Sequence, residues 1–129
     1  MSITNFNIKL LEGIYGVCQI KDIENITKYF KEKEFFSITK TEDEISIVTL
    51  QENIKEDVKS EKDWKILKIE GTLDFSLIGI LAKISGILAN HSISIFVIST
   101  FNTDYILIKA DKIQMAISVL SKEGYNFFD

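Results

Sequence analysis

The sequence predicts an α+β fold of two tandem βαββαβ units, each an antiparallel sheet with its helices on one face. Three observations carry that prediction. Trp64–Glu70, Ile93–Thr100 and Tyr105–Ala110 alternate with period two or are rich in β-branched and aromatic residues, as strands are. Ser76–His91 carries Leu77, Ile80, Leu81, Ile84, Ile87 and Leu88 at the 3.6-residue spacing of an amphipathic helix. The N-terminal half opens with the same sequence of strand, helix, strand and strand.

In order along the chain, Ile3–Leu11 and Ile14–Ile20 read as strands split at Gly13, with Phe6, Ile8 and Leu10 alternating against Asn5, Asn7 and Lys9. Asp22 is placed to cap a helix over Ile23–Lys33, with Ile23, Ile26 and Phe30 inward. Glu34–Thr39 and Ile45–Leu50 form a hairpin around Thr41–Glu44. Gln51–Asp63 is dense in charge, with only Ile54 and Val58 as an apolar line, and reads as an acidic linker or a short helix. The expected division is therefore 1–63 for the N-terminal unit with its linker and 64–129 for the C-terminal unit. In the latter, Asn102-Thr103-Asp104 separates the strands of a hairpin, Asp111 with Gln114 reads as a capping box, and Gly124 as the glycine that ends the last helix. Tyr125–Phe128 is its closing strand.

Composition removes several classes of function. At 129 residues with 46% hydrophobic residues the chain can bury a core of its own. All fifteen basic residues are lysine, so bidentate guanidinium recognition is absent, and the net charge of −4 argues against a nucleic-acid partner. No apolar run reaches the roughly 18 residues of a membrane span and the N-terminus has no basic-then-apolar leader, so a cytoplasmic protein with no membrane partner is expected. One cysteine, Cys18, lies in an apolar run and reads as core. One histidine, His91, falls at a helix end, where a cation complements the dipole. No catalytic set, metal site or cofactor motif can be assembled from them. Residues 1–63 hold 9 lysines against 13 acids and residues 64–129 hold 6 against 6, so the acidic excess lies in the first half.

The helix from Ser76 has only Lys83 as a charge, and its side away from Ile84 and Leu88 carries Gly79, Ala82, Gly86 and Ala89. Interior glycines cost helix propensity, so close packing is expected to compensate. That packing is either of the helix on its own sheet or against another such unit, in the same chain or in a second copy.

Two polar turns supply candidate site residues. A free amino acid presents a carboxylate and an ammonium side by side. Without arginine, the backbone N–H groups at a helix start make the anion pocket, and the turn Leu73-Asp74-Phe75-Ser76 through Gly79 offers them. Asp104, with Ser99 and Thr100, can meet the amine, and Asp74 is the other acid that can play that part. Asp74 and Ser76 also have a purely structural role open to them as helix caps, and Asp104 as a turn residue.

The residues Leu73-Asp74-Phe75-Ser76, Gly79-Ile80-Leu81-Ala82 and Ile98-Ser99-Thr100-Phe101 with Asp104 resemble the ACT domain, a ferredoxin-like regulatory module that binds small amino acids. The resemblance is closest to small tandem-ACT proteins and the cytosolic arginine sensors. It implies a non-catalytic sensor, working as a homodimer, with its amino-acid ligand where two ACT units meet. The ligand-lining positions it implies are Leu73, Asp74, Gly79, Ile80, Leu81, Thr100, Phe101 and Asp104. Leu77 stands where arginine sensors offer a further acid, so this pocket is expected to be more apolar. Phe35–Thr39 is the N-terminal half's candidate contribution. The alternatives are an assembly module without a ligand, and, further off, a small enzyme such as an acylphosphatase, which needs an arginine this chain lacks, or an RNA-binding sheet.

Overall fold

The computed structural model describes residues 7–31, 33–70 and 79–129. It is a mixed α+β chain with few helices, and it divides into two compact units, Gly13–Trp64 and Met1–Glu12 with Lys65–Asp129.

The Gly13–Trp64 unit contains β2 (Tyr15–Ile20), β3 (Ser37–Lys40), β4 (Ile45–Leu50) and the first residues of β5 (Ser60–Glu70), in the order β3-β4-β2-β5 with every pairing antiparallel. The chain also has β1 (Asn7–Leu10), which belongs to the other unit. The helix expected over Ile23–Lys33 is a short 3₁₀ segment, Ile23–Tyr29, capped as anticipated by Asp22, whose Oδ1 accepts from the Glu24 N–H at 3.0 Å. Its sequence explains the truncation. Ile23, Ile26 and Thr27 are β-branched, Asn25 competes for backbone bonds, and Ile23 is left 43% exposed, so little apolar burial supports a longer helix. Its C-terminal carbonyl is instead taken up by a polar knot. Buried Thr49 donates its hydroxyl to the Tyr29 carbonyl, and Asn53 Nδ2 donates to that carbonyl at 3.3 Å, to Thr49 Oγ1 at 3.2 Å and to Glu34 Oε1 at 3.1 Å. Gln51–Asp63 is no linker. It makes a 3₁₀ turn at Gln51–Asn53, buries Ile54 and enters β5 at Ser60. Cys18, Ile20, Ile45, Ile47 and Ile54 form this unit's core.

The other unit is built from β1, the rest of β5, α1 (Ile80–Asn90), β6 (Phe96–Ser99), β7 (Asp104–Lys109), α2 (Ile113–Lys122) and β8 (Asn126–Phe128), with strand order β8-β1-β5-β7-β6. Strand β1, expected in the N-terminal unit, lies between β5 and β8 instead. It is antiparallel to β5 (Ile8↔Ile69) and parallel to β8 (Ile8↔Phe127), so the sheet is not wholly antiparallel. Alternation says which face of a strand is apolar and is silent on which neighbour completes its hydrogen bonds, which is why the sequence placed it wrongly. Ile8, Leu67, Ile69, Ile106 and Ile108 from the strands pack with Ile84 and Leu88 of α1 and Ala116 and Leu120 of α2.

Both helices end by the same device. Gly124 at φ +102° lets its N–H reach the Ser121 carbonyl and the Tyr125 N–H the Leu120 carbonyl. At the end of α1 the left-handed position is held by Ser92 at φ +59°, with Ser92 N–H to Ala89 and Ile93 N–H to Leu88. The capping box at Asp111 does not form. Residues Ala110–Lys112 make a 3₁₀ turn and Lys112 occupies the cap without a side-chain bond.

Tyr125 is buried, and its hydroxyl has no partner among the described residues. Burial raises the phenol above its ordinary pKa, with Glu123 adding to the rise. A phenol harder to ionise in the folded state contributes stability that is intact below about pH 10 and is lost as pH climbs beyond it. Tyr125→Phe removes the unpartnered hydroxyl. It is expected to raise stability at neutral pH by about 1 kcal/mol and to shrink the alkaline loss, read by urea melts at pH 7 and pH 10.5.

Candidate functional site

The end of β5 is where the polar turn between β6 and β7 is fastened. Thr103 Oγ1 donates to the Ile69 carbonyl at 2.6 Å, one residue before the end of β5. Within the turn the Thr100 N–H reaches the Thr103 carbonyl at 2.8 Å, and the Thr100 hydroxyl both donates to that carbonyl (3.1 Å) and accepts from the Thr103 N–H (3.2 Å). Ser99 and Asp104 are the last rung of the β6–β7 ladder. This pairing sets their side chains together, and Ser99 Oγ donates to Asp104 Oδ1 at 2.5 Å. The second carboxylate oxygen has no partner among the described residues, so a hydroxyl-oriented acid stands beside the turn.

The chain leaves the same end of β5 and arrives at α1 through Gly79. That glycine holds φ +90°, caps the helix, and its carbonyl accepts from the Lys83 N–H at 2.9 Å. The N–H groups of the first helical turn have no intrahelical acceptor, which gives this end its positive dipole. Ile80 and Leu81 pack against the core and stay partly exposed. Leu73, Asp74, Phe75 and Ser76 lie outside the described residues. Of the expected hairpin residues, Ser99, Thr100 and Asp104 come together at one turn, with Thr100 Oγ1 already engaged there. Phe101 stands fully exposed at the tip. Sequence reasoning passed over Thr103. Its hydroxyl is the link that positions the turn, and a threonine beside an asparagine reads as turn composition until the long-range bond to Ile69 is seen.

A left-handed residue with a Cβ costs roughly 1–2 kcal/mol, so Gly79→Ala is expected to lower stability by about that amount in a denaturant melt, with no steric clash contributing.

Elsewhere, Phe36 packs on the core of the Gly13–Trp64 unit and against Phe30 with centroids 4.3 Å apart, so its role there is packing. Burial pushes the Cys18 thiol up, away from nucleophilic use. His91 Nδ1 lies 3.0 Å from the Ile87 carbonyl at the end of α1. No group of three metal-ligating side chains occurs among the described residues, and no described helix is long and apolar enough to cross a membrane. An open cavity of about 770 Å³ beside the Lys40–Ile45 turn is lined by charges of both signs, including Lys21, Asp22, Lys59 and Asp57.

Comparison with known proteins follows the same division. A family model described as an ACT domain matches residues 59–122, and a second, of an N-terminal domain, matches residues 13–57. The chain is 36% identical over 96 residues to the mouse cytosolic arginine sensor for mTORC1 subunit 1, a match covering 68% of this chain and 29% of that protein. It therefore spans under a third of the length of the curated relatives it matches. A crystal structure of an Agrobacterium tumefaciens protein superposes with a TM-score of 0.88 at 31% identity, covering 97% of this chain and 93% of that one. Aspartate kinase of Clostridium acetobutylicum shares the fold at a TM-score of 0.68 and 12% identity, over 95% of this chain and 35% of that one.

Proposed function

This chain belongs to the ACT-domain family, and from that premise we propose that it is a non-catalytic, cytoplasmic sensor that binds a small amino acid where two ACT units meet. The observation that carries the reading is the Ser99–Asp104 pair, held at the end of β5 by Thr103, its second carboxylate oxygen without a partner among the described residues. Asp104 takes the ligand's ammonium, and backbone N–H groups at the start of α1 take its carboxylate. Leu73, Asp74, Phe75 and Ser76 complete the pocket in this reading. The strand order β3-β4-β2-β5 of the Gly13–Trp64 unit repeats β6-β7-β5-β8 of the C-terminal half once β1 is set aside, which supports a tandem pair of ACT-like units.

Leu77 stands where arginine sensors offer a further acid, and this more apolar position supports a neutral amino acid over arginine. The test is thermal shift against a panel of free amino acids at millimolar concentration. A ligand at about 100 times its dissociation constant adds about 2.7 kcal/mol of stability, several degrees for a chain of this size. A flat response across the whole panel defeats the reading.

A further inference from the structure

The open cavity of about 770 Å³ lies at one end of the sheet of the Gly13–Trp64 unit, and its volume is in the range of small-molecule sites. Its floor is the unit's own core. Ile20, Ile45, Tyr29 and Val58 line the cavity and also belong to, or pack on, the cluster around Ile47. Three of the nine lysines of residues 1–63 line it too, each from a different strand end. Lys40 is the last residue of β3, Lys21 follows β2 and Lys59 precedes β5. The pairings Lys40↔Ile45 and Ile20↔Ile45, with the Gln19 N–H on the Lys59 carbonyl at 3.1 Å, bring all three to the same end of the sheet. Strands about 5 Å apart spread them over an arc of about 15 Å, which long side chains can close around one small ligand. None of the three ammonium groups has an ion-pair partner among the described residues. Of the acids in the lining, Asp22 is committed to the Glu24 N–H and Glu44 to the Gln19 amide at 3.1 Å, while Glu42, Asp43 and Asp57 are exposed.

The turn beside this cavity is built like the one at the candidate site. The Thr41 N–H reaches the Glu44 carbonyl at 2.9 Å and its Oγ1 accepts from the Glu44 N–H at 3.1 Å, as Thr100 does with Thr103 at 2.8 Å and 3.2 Å. The rungs that close the two hairpins differ in charge. Ser99 and Asp104 close one, and Lys40 and Ile45 close the other, so a cation stands where the candidate site keeps a hydroxyl and an acid. We infer that this cavity is a second ligand site, and that it takes a small anion of two or more negative charges, a phosphate ester or a di- or tricarboxylate, on Lys21, Lys40 and Lys59. Equivalent rungs then serve ligands of opposite sign, and an amine that suits Asp104 would meet Lys40 here. Three lysines are mobile point charges without the planar fork of arginine, so they suit a compact group that offers several oxygens. Glu42, Asp43 and Asp57 stand among them and repel a long polyanion such as nucleic acid. What remains is a ligand short enough to lie inside the arc.

Pyrophosphate and citrate are the probes, each titrated into the full chain at about 150 mM sodium chloride, where loose attraction between exposed charges is largely screened. Amide NMR shifts should move at Lys21, at residues 40–44 and at Lys59, and the melting temperature should rise beyond that in sodium chloride of equal ionic strength. Lys21→Gln, Lys40→Gln and Lys59→Gln should each weaken binding about twofold to fivefold, and the triple variant about tenfold or more. All three side chains are exposed, so the unliganded variants should melt close to the parent. Asp104→Ala should leave the response to both probes unchanged. A response to pyrophosphate alone supports the site and assigns it to phosphate esters, one to citrate alone assigns it to carboxylates, and one to both supports the shared chemistry. Silence toward both probes up to about 10 mM overturns the inference. So does a response that survives the triple variant, or shifts confined to residues outside the cavity. A flat amino-acid panel would leave this site standing, and silent anions would leave the amino-acid site standing, so the two can fail separately.

Discussion

Ile8→Ala is expected to destabilise the C-terminal unit by about 2–5 kcal/mol, although residue 8 lies some sixty residues before the rest of that unit in the chain. Ile8 is wholly buried, sits in the cluster with Leu67, Leu88 and Leu120, and is paired on one side with Ile69 and on the other with Phe127. Truncation leaves a cavity walled by two strands and two helices, and a sheet interior has little freedom to collapse into it. Lys9→Ala, at the next position and half-buried, is expected to stay within about 0.5 kcal/mol. Hydrogen exchange locates the damage. Amides of Leu67–Glu70 and Asn126–Phe128 should lose protection while those of the β2–β4 pair keep theirs. Loss confined to residues 13–64 would mean that β1 belongs to the N-terminal unit after all.

What could be read from the sequence divides along a physical line. Local signals were legible: the α1 stripe, the β6–β7 alternation, the Asp22 cap and the glycine at 124 depend on residues within one turn or one rung. Partnerships were not. The place of β1 between β5 and β8, the bond from Thr103 to Ile69, and the Asn53 knot that replaces the end of a helix all join residues 19 or more positions apart, or strands whose order alternation leaves undetermined. Ser92 went unmarked as a helix stop because the left-handed position there is held by a residue that only occasionally adopts it. The Asp111 capping box failed for a different reason: the 3₁₀ turn at Ala110–Lys112 shifts the helix start, so the motif sits in the wrong turn. At the site, the Ser99–Asp104 pair was legible because a hairpin sets its closing residues face to face. The exposure of Phe101 was not, since the family pattern places it at a ligand and the single chain turns it to water.

Asp104→Ala should cut the amino-acid thermal shift to about half or less while leaving the unliganded protein within about 0.5 kcal/mol of its parent. The two halves of that expectation have separate causes. In the free chain Asp104 is only partly buried and bonded to one exposed hydroxyl, so its removal frees Ser99 to water at little cost. With ligand bound, the carboxylate faces an ammonium, and a hydrogen bond between charged groups contributes about 1.5–3 kcal/mol, which is roughly a tenfold to hundredfold change in affinity. At a concentration that gives the parent about 2.7 kcal/mol, the variant is left with about 1.4 kcal/mol at tenfold weakening and about 0.4 kcal/mol at hundredfold weakening. Asp104→Asn separates charge from shape: it keeps the bond to Ser99 and loses the attraction for the ammonium, so it should behave like alanine toward ligand and like the parent toward heat. Retention of the full shift by both variants would place the amine elsewhere, with Asp74 as the alternative acid. A large loss of stability in the unliganded alanine variant would mark Asp104 as a turn residue first, holding the hairpin through Ser99.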